Sequence, residues 1–237
     1  MHTPQGAPGF LGKLRSHGDF VTRRLPLPVR DRFDRWLQAA LLQSRIDLGD
    51  AWLPTWLSSP LWRFLVAPGV CGEQAWAGVM MPSHDRVGRC FPLLLAAPVD
   101  GMPSLRDCMT LHAGWFARLE ELALSTLEEG FSLDGFDAAL MAMDGAPSGG
   151  TAPRLQPDWH GAAGRAPGKA VVLEPVGGVF APLSASLAEG DSAWWTDGSP
   201  LLPPCLAICG GLPAPAAFSA LLDGRWRERG WNPVVHI

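Results

Sequence analysis

The chain has 237 residues, of which 47% are hydrophobic and 18% charged, and its formal net charge is −4. This composition can bury a sizeable core and is that of an ordinary soluble globular protein. Nucleic acids are poor candidates as partners, because binding phosphate groups requires a surplus of lysine and arginine on one face. No apolar stretch approaches the roughly 20 residues that span a bilayer, so membrane insertion is not expected.

The N-terminus and the cysteines both favour a cytoplasmic location. No charged segment at the N-terminus leads into an apolar stretch, as it would in a signal peptide. The five cysteines include no CxxC pair. Several have apolar neighbours, which favours buried, reduced thiols over a disulfide framework or a metal site. We therefore expect a cytoplasmic protein with neither a metal ion nor another cofactor.

The first twenty residues predict a short strand followed by a polar turn. Residues 1–8 contain two prolines and a glycine and are predicted to be a loose tail. An apolar run around Phe10–Leu14 is typical of a strand. The residues that form the turn after it are Ser16, His17, Gly18 and Asp19. The aspartate of such a turn can accept hydrogen bonds from backbone amides.

The clearest helical pattern covers Val29–Ser44. Its apolar side chains recur every three or four residues, at Val29, Phe33, Trp36, Leu37, Ala40 and Leu41. This spacing predicts an amphipathic helix that docks on a core. Gly49 is a suitable end for it, and a second, short helix is predicted over Trp52–Leu57.

Three apolar runs in the middle of the chain predict strands: Leu61–Val66, Ala75–Met81 and Cys90–Ala97. The last run is almost continuously apolar, as expected of a strand that is covered on both faces. Because the connections between the three runs are short, we expect the strands to be neighbours in one sheet.

The loop between the last two of these strands, Pro82–Arg89, interrupts the apolar sequence with polar residues. Its side chains include Ser83, His84, Asp85, Arg86 and Arg89. Gly88 allows the backbone a positive φ within the loop. At the tip of two core strands, we expect these side chains to be held rigidly and displayed together.

The second half of the chain is less regular. Helices are predicted over Leu105–Leu127, Asp134–Met143 and Ala216–Leu222. Strands are predicted over Ala170–Val176, Ala193–Thr196 and Cys205–Cys209. Between these elements, residues 144–169 are rich in Gly, Ala and Pro and lack any hydrophobic period, which predicts an exposed, irregular loop.

The order of these elements predicts the fold class. Strands and helices alternate, but several connections between strands are too short for a helical crossover. We therefore expect a single α/β domain over residues 1–237, with a mixed, largely antiparallel sheet between helices on both faces.

A pair of tryptophans, Trp194 and Trp195, lies within one of the later predicted strands. Adjacent residues of a strand point to opposite faces, so only one of the two can point fully inward. The other is expected to be covered by a helix or to be an exposed contact residue.

Several segments, in order, resemble the TagF (ImpM) family of type VI secretion-associated proteins. They are GFLGKLRSHGDFVTRRLP at residues 9–26, the helix around Trp36 and Leu37, SPLWRFLVAPG at 59–69, AGVMMPSHDRVGRCFPLLLAAP at 77–98, and SAWW at 192–195. The resemblance covers the first hundred residues well and touches the second half mainly at the tryptophan pair.

This resemblance implies both a fold and a function. The fold would be a three-layer α/β/α sandwich. The function would be that of a cytoplasmic accessory factor that restrains assembly of the secretion apparatus after translation. It would act by contact with the forkhead-associated scaffold protein of that system. The resemblance implies no catalytic residues.

The alternative is a hydrolase or a metal-dependent enzyme that uses the two polar loops. Ser, His and Asp occur together in both loops, with His17 and Asp19 in one and His84 and Asp85 in the other. Neighbours in sequence cannot bond in the order nucleophile, base and orienting group, and the chain has no GxSxG motif. The spacing of these residues is not diagnostic of a metal site either. A concave pocket uniting both histidines with a carboxylate would favour this alternative.

The loop around Asp85 has two interpretations. In the structural one, Asp85 pairs with Arg86 or Arg89, or caps its own turn, and only fixes the loop. In the contact interpretation, this loop and the Asp19 turn lie together and form a mixed-charge surface for a protein partner. Replacing Asp85 and Arg86 by alanine would then leave folding nearly intact, because surface ion pairs contribute only about 0–1 kcal/mol.

Overall fold

The computed structural model describes residues 6–143, 146–149, 171–174 and 187–236, with 171–174 and 232–236 described by their backbone alone. The strands of this part of the chain are β1 (Gly9–Gly12), β2 (Val21–Arg23), β3 (Trp62–Val66), β4 (Ala75–Met81), β5 (Leu93–Val99), β6 (Val171–Glu174), β7 (Asp191–Thr196), β8 (Cys205–Gly210) and β9 (Asn232–His236). Its α-helices are α1 (Leu27–Leu48), α2 (Trp52–Leu57), α3 (Leu105–Met109), α4 (Ala113–Ser125), α5 (Leu133–Met141), α6 (Pro215–Phe218) and α7 (Ala220–Asp223).

The described strands form one sheet in the order β2-β1-β5-β4-β3-β7-β8-β6-β9. Neighbouring strands pair antiparallel except β6 and β9, which pair parallel. The three strands predicted from the middle of the chain, β3, β4 and β5, are consecutive in the sheet. The prediction of a mixed, largely antiparallel sheet is therefore confirmed.

Helices cover both faces of this sheet. One buried cluster joins α1, α2, α6 and α7 to one face. A second buried cluster joins α3, α4 and α5 to the opposite face. Strand residues contribute to the two clusters alternately, as the pleat of a sheet requires. The three-layer α/β/α sandwich is confirmed.

Trp194 and Trp195 of β7 each enter one of these clusters. Trp194 has no exposed surface and packs its ring 5.0 Å from that of Phe64 and 5.2 Å from that of Trp36 on α1. Trp195 is 2% exposed and packs 4.9 Å from Phe116 on α4. Helices cover both tryptophans, so neither is an exposed contact residue.

Several predicted element boundaries were wrong for identifiable reasons. The strand predicted over Cys90–Ala97 begins only at Leu93, because Pro92 has no amide hydrogen to donate to the sheet. The helix predicted over Leu105–Leu127 is divided into α3 and α4. Between them, Thr110 has a φ of −119° and a ψ of −74°. The His112 amide then donates to the Asp107 carbonyl at 2.9 Å, five residues back rather than the four of an α-helix.

The helix predicted over Ala216–Leu222 is also divided, into α6 and α7 at Ser219. The Ser219 hydroxyl is buried and donates to a carboxylate oxygen of Asp47 on α1, at 2.5 Å. This residue therefore ties the C-terminal helices to the longest helix of the same layer.

Two predicted irregular segments are only partly described. Of residues 1–8, the described end is packed, because Ala7 and Pro8 are buried and Arg24 donates to the Pro8 carbonyl at 3.0 Å. Of residues 144–169, only 146–149 are described, and there Ser148 forms an isolated bridge with Asp100. The rest of both predictions lies outside the described residues. None of the described helices is long and apolar enough to cross a membrane.

The tryptophan packing predicts a large loss of stability in Trp194→Ala. Removing this ring opens a cavity against Phe64 and Trp36, and the free energy of unfolding should fall by about 3–5 kcal/mol. Leu42→Ala is the control, since this α1 side chain is 65% exposed and its loss should cost less than about 0.5 kcal/mol. Urea denaturation measures both. Equal losses in the two variants would contradict the packing described.

Candidate functional site: two loops around a buried carboxylate

The two polar loops leave the sheet at the same end, because β1 pairs antiparallel with β5. A Cβ on Gly12, which has a φ of 142°, would lie 2.1 Å from the Pro92 carbonyl oxygen. Only glycine permits this approach between the end of β1 and the start of β5. The chain after Gly12 forms the first loop, and the chain before Pro92 forms the second. We call Ser16–Asp19 with Pro82–Arg89 the loop cluster.

Each loop has its own closing hydrogen bonds. In the first, the His17 amide donates to the Leu14 carbonyl at 2.9 Å. In the second, the Phe91 amide donates to the Ser83 carbonyl at 3.0 Å. Gly88 has a φ of 84°, which confirms the positive φ predicted for it.

Asp85 lies at the centre of the loop cluster and has no exposed surface. Its Oδ2 accepts hydrogen bonds from Lys13 Nζ at 2.5 Å and from Arg89 Nε at 2.6 Å. Its Oδ1 accepts from the backbone amides of Val87 at 3.0 Å and of Arg89 at 2.8 Å. The carboxylate is therefore bonded by two cations and two amides.

Further bonds join the two loops directly. The Arg86 amide donates to the His17 carbonyl at 3.0 Å, and Arg89 Nη2 donates to the Gly18 carbonyl at 2.5 Å. Ser83 Oγ donates to the Lys13 carbonyl at 2.7 Å. The structure therefore brings the two predicted loops together at one end of the sheet.

These contacts control the ionisation of Asp85. Burial by itself would raise the pKa of its carboxyl. The hydrogen bonds from Lys13, from the side chain and amide of Arg89, and from the Val87 amide more than offset this and hold the pKa well below its usual range. Arg89, whose side chain is 62% exposed, covers the carboxylate. Asp85 is therefore ionised and lies just beneath the surface.

The sequence prediction treated Asp85 as a displayed side chain, and this was wrong. Asp85 and Ser83 are buried, whereas Ser16, Asp19, Arg86, Gly88 and Arg89 are exposed and His17, Gly18 and His84 are half-buried. Pairing with Arg89 and capping of its own turn, both considered for Asp85, are confirmed. Replacing Asp85 is consequently a change in the interior, and Arg86 is the side chain that can be changed on the surface.

Sequence reasoning missed three residues of this site. Lys13 is the buried counterion of Asp85, and its position within an apolar predicted strand was an available signal. Phe20 and Val87 are large apolar side chains that are 48% and 68% exposed. Each directly adjoins residues singled out in the sequence, but nothing local distinguishes them from core residues.

The hydrolase alternative requires a histidine that is hydrogen-bonded both to a nucleophile and to a carboxylate. Ser16 Oγ and His17 Nδ1 are 2.8 Å apart, so these neighbours do form a hydrogen bond, contrary to the expectation from sequence. His84 Nδ1, however, contacts the backbone carbonyl of Asp85 at 2.9 Å and not a carboxylate. Among the described residues, no group of three or more His, Cys, Asp or Glu side chains is arranged to hold a metal ion.

A cleft of about 540 Å³ lies elsewhere, between α4 and α5. Its lining includes Trp115 and Ala139 but no residue of the loop cluster. The loop cluster therefore has the character of a fixed polar surface whose central carboxylate is already bonded.

Fold and site together define an α/β/α protein with one end of its sheet closed by two interlocked polar loops. Residues 9–143, which contain both loops, match the family described as "TagF N-terminal domain, Type VI secretion system-associated". The crystal structure of PA0076 from Pseudomonas aeruginosa PAO1 is similar over 92% of this chain and 94% of that one, with 34% sequence identity and a TM-score of 0.73. No curated protein matches the chain. The chain belongs to the TagF family of type VI secretion system-associated proteins.

The buried ion pair predicts different effects on stability for two adjacent residues. Asp85→Asn should lower the Tm by several degrees, because it leaves Lys13, whose side chain is 10% exposed, without its counterion. Arg86→Ala removes an exposed side chain and should change the free energy of unfolding by no more than about 0.5 kcal/mol. Thermal melts at pH 7 compare the two. A normal Tm for Asp85→Asn would contradict the role assigned to this carboxylate.

The same pair predicts a pH dependence. A carboxyl whose pKa is lowered on folding stabilises the fold above its unfolded pKa, about 3.9 for Asp, and this stabilisation is lost as the pH falls through the folded value. The Tm difference between wild type and Asp85→Asn should therefore be constant from about pH 5 to 7 and shrink below about pH 4. Other carboxyls with lowered pKa, such as Asp137, titrate in both proteins and cancel. A difference that widens in acid would be the contrary result.

Proposed function

We propose that this protein is a cytoplasmic negative regulator that restrains assembly of the type VI secretion apparatus after translation. It does so by binding the forkhead-associated scaffold protein of that system. The observation that carries this proposal is the family match over residues 9–143, which contains the whole loop cluster. The 34% identity to PA0076 over nearly the entire chain supports a shared architecture in both halves.

The proposed contact site is the exposed rim of the loop cluster together with Phe20, which directly follows it in the chain. We define the rim patch as Phe20, Arg86, Val87 and Arg89. The Val87 amide and the Arg89 side chain bond Asp85 directly, and Arg86 is its neighbour in the chain. Phe20 is linked through Lys13, whose ammonium group binds Asp85 and lies 5.8 Å from the centre of the Phe20 ring. The side chains of Phe20 and Arg89 are held by these contacts and therefore lose little conformational freedom on binding. Arginine and aromatic residues are also the types that most often dominate protein interfaces.

We further propose that the protein acts by contact and without catalysis, metal ion or cofactor. Supporting this, the Asp85 carboxylate is engaged by Lys13 and Arg89 and is poorly placed to orient a histidine. A protein partner is favoured over a nucleic acid, because the net charge of the chain is −4.

The rim patch predicts a variant that folds normally but no longer restrains secretion. The double change Arg86→Ala with Val87→Ala alters two exposed side chains and keeps the Val87 amide that binds Asp85. Its Tm should stay close to that of the wild type. Secretion should rise in cells that contain the variant at wild-type abundance, and binding of the scaffold protein should weaken.

The matched control is Arg35→Ala with Leu42→Ala, an exposed arginine and an exposed leucine on α1. This pair should restrain secretion normally. Normal restraint by the rim variant as well would exclude the rim patch as the contact site. The enzymatic alternative makes a different prediction, since Ser16→Ala would abolish restraint while leaving scaffold binding unchanged.

A further inference from the structure

The rim patch and the charged groups next to it carry a local surplus of positive charge on a chain that is negative overall. Two cations, Lys13 and Arg89, share the single carboxylate of Asp85. Arg86 is exposed and forms no salt bridge within the described part of the chain. Asp19 is the exposed carboxylate on the neighbouring turn. Three of these five groups are cations and two are carboxylates. The whole chain, in contrast, has a formal charge of −4.

The apolar members of the patch are fixed in position. The Phe20 ring packs edge-on against Phe91, with 4.5 Å between the ring centres, and remains 48% exposed. Val87 is held by the bond from its amide to Asp85, and its side chain is 68% exposed. The two joined loop segments therefore expose two apolar groups and two guanidinium groups.

The two arginines of the patch differ in how many of their side-chain donors are already hydrogen-bonded. Arg89 uses Nε for Asp85 and Nη2 for the Gly18 carbonyl, so its orientation is fixed. The Arg86 backbone is anchored on the His17 carbonyl, while its side chain extends into solvent. A guanidinium in this situation suits a carboxylate, which it can bind through two parallel hydrogen bonds.

We propose that the rim patch docks an acidic segment of the partner protein, with carboxylates on Arg86 and Arg89 and an apolar side chain between Phe20 and Val87. This inference rests on the proposed function and adds the chemistry of the contact. Complementary charge would speed the encounter and fix the orientation of the partner, and the apolar pair would slow its release.

The test measures binding of the full-length protein to the purified forkhead-associated scaffold protein of the same secretion system. Isothermal titration calorimetry compares wild type, Arg86→Gln, Arg86→Glu and the control Arg35→Glu at low and high salt. Affinity should fall in the order Arg, Gln, Glu at position 86, by about tenfold or more for the reversal. Arg35→Glu should change it less than about threefold, and salt should weaken the wild type most.

Overlapping synthetic peptides of the scaffold protein identify the docked segment. Those that bind wild type should carry at least two carboxylates around an apolar residue, and Arg86→Glu should abolish their binding. If the intact scaffold binds both Arg86 variants as tightly as wild type, the acidic-segment inference is wrong and the proposed function remains. If the scaffold does not bind wild type, the proposed function fails and this inference with it. A wild-type dimer that Arg86→Glu dissociates would assign the patch to a second copy of the chain and overturn the inference.

Discussion

The buried Asp85 carboxylate forms the interaction on which the loop cluster depends. A charge without exposed surface is tolerated only when it is paired and fully hydrogen-bonded. Lys13, Arg89 and two backbone amides meet that requirement. Because Lys13 comes from the first loop segment and Arg89 from the second, satisfying the carboxylate also fixes the two loops to one another.

The rest of the fold supplies the platform for this interaction. β4 and β5, whose connection carries the second loop, lie inside the sheet and are almost entirely buried. Layers of helices cover both faces, with Trp194 anchoring one layer and Trp195 the other. Gly12 then lets β1 approach the start of β5 closely enough for Lys13 to reach Asp85. The loop cluster is consequently held by its own hydrogen bonds at one end of a buried part of the sheet.

The sequence predicted what local periodicity can encode. The stripe on α1 and the apolar runs of β3, β4 and β5 gave those elements and their order correctly, and the resemblance supplied the family. The burial of Asp85 could not be read in the same way, because its lysine partner lies 72 residues earlier in the chain. Local sequence shows a charged loop, and only the sheet pairing shows that one of its charges is inside.

The same limit explains the other differences. One of Trp194 and Trp195 was predicted to be either covered by a helix or exposed, because local sequence does not assign each helix to a face of the sheet. Phe20 and Val87 were missed because an exposed apolar residue resembles a core residue until the tertiary structure is known. Conversely, the break between α3 and α4 shows that a helix can end although its apolar pattern continues.

Hydrogen exchange of Asp85→Asn, followed by mass spectrometry at pH 7, tests most directly whether this carboxylate joins the two loops. Exchange should accelerate in peptides from both residues 13–20 and residues 82–91, because each loop is held partly through the other. The central strands β3 and β4 should keep their wild-type protection. Acceleration confined to 82–91, with wild-type exchange in 13–20, would contradict a shared carboxylate and show that the two loops are ordered independently.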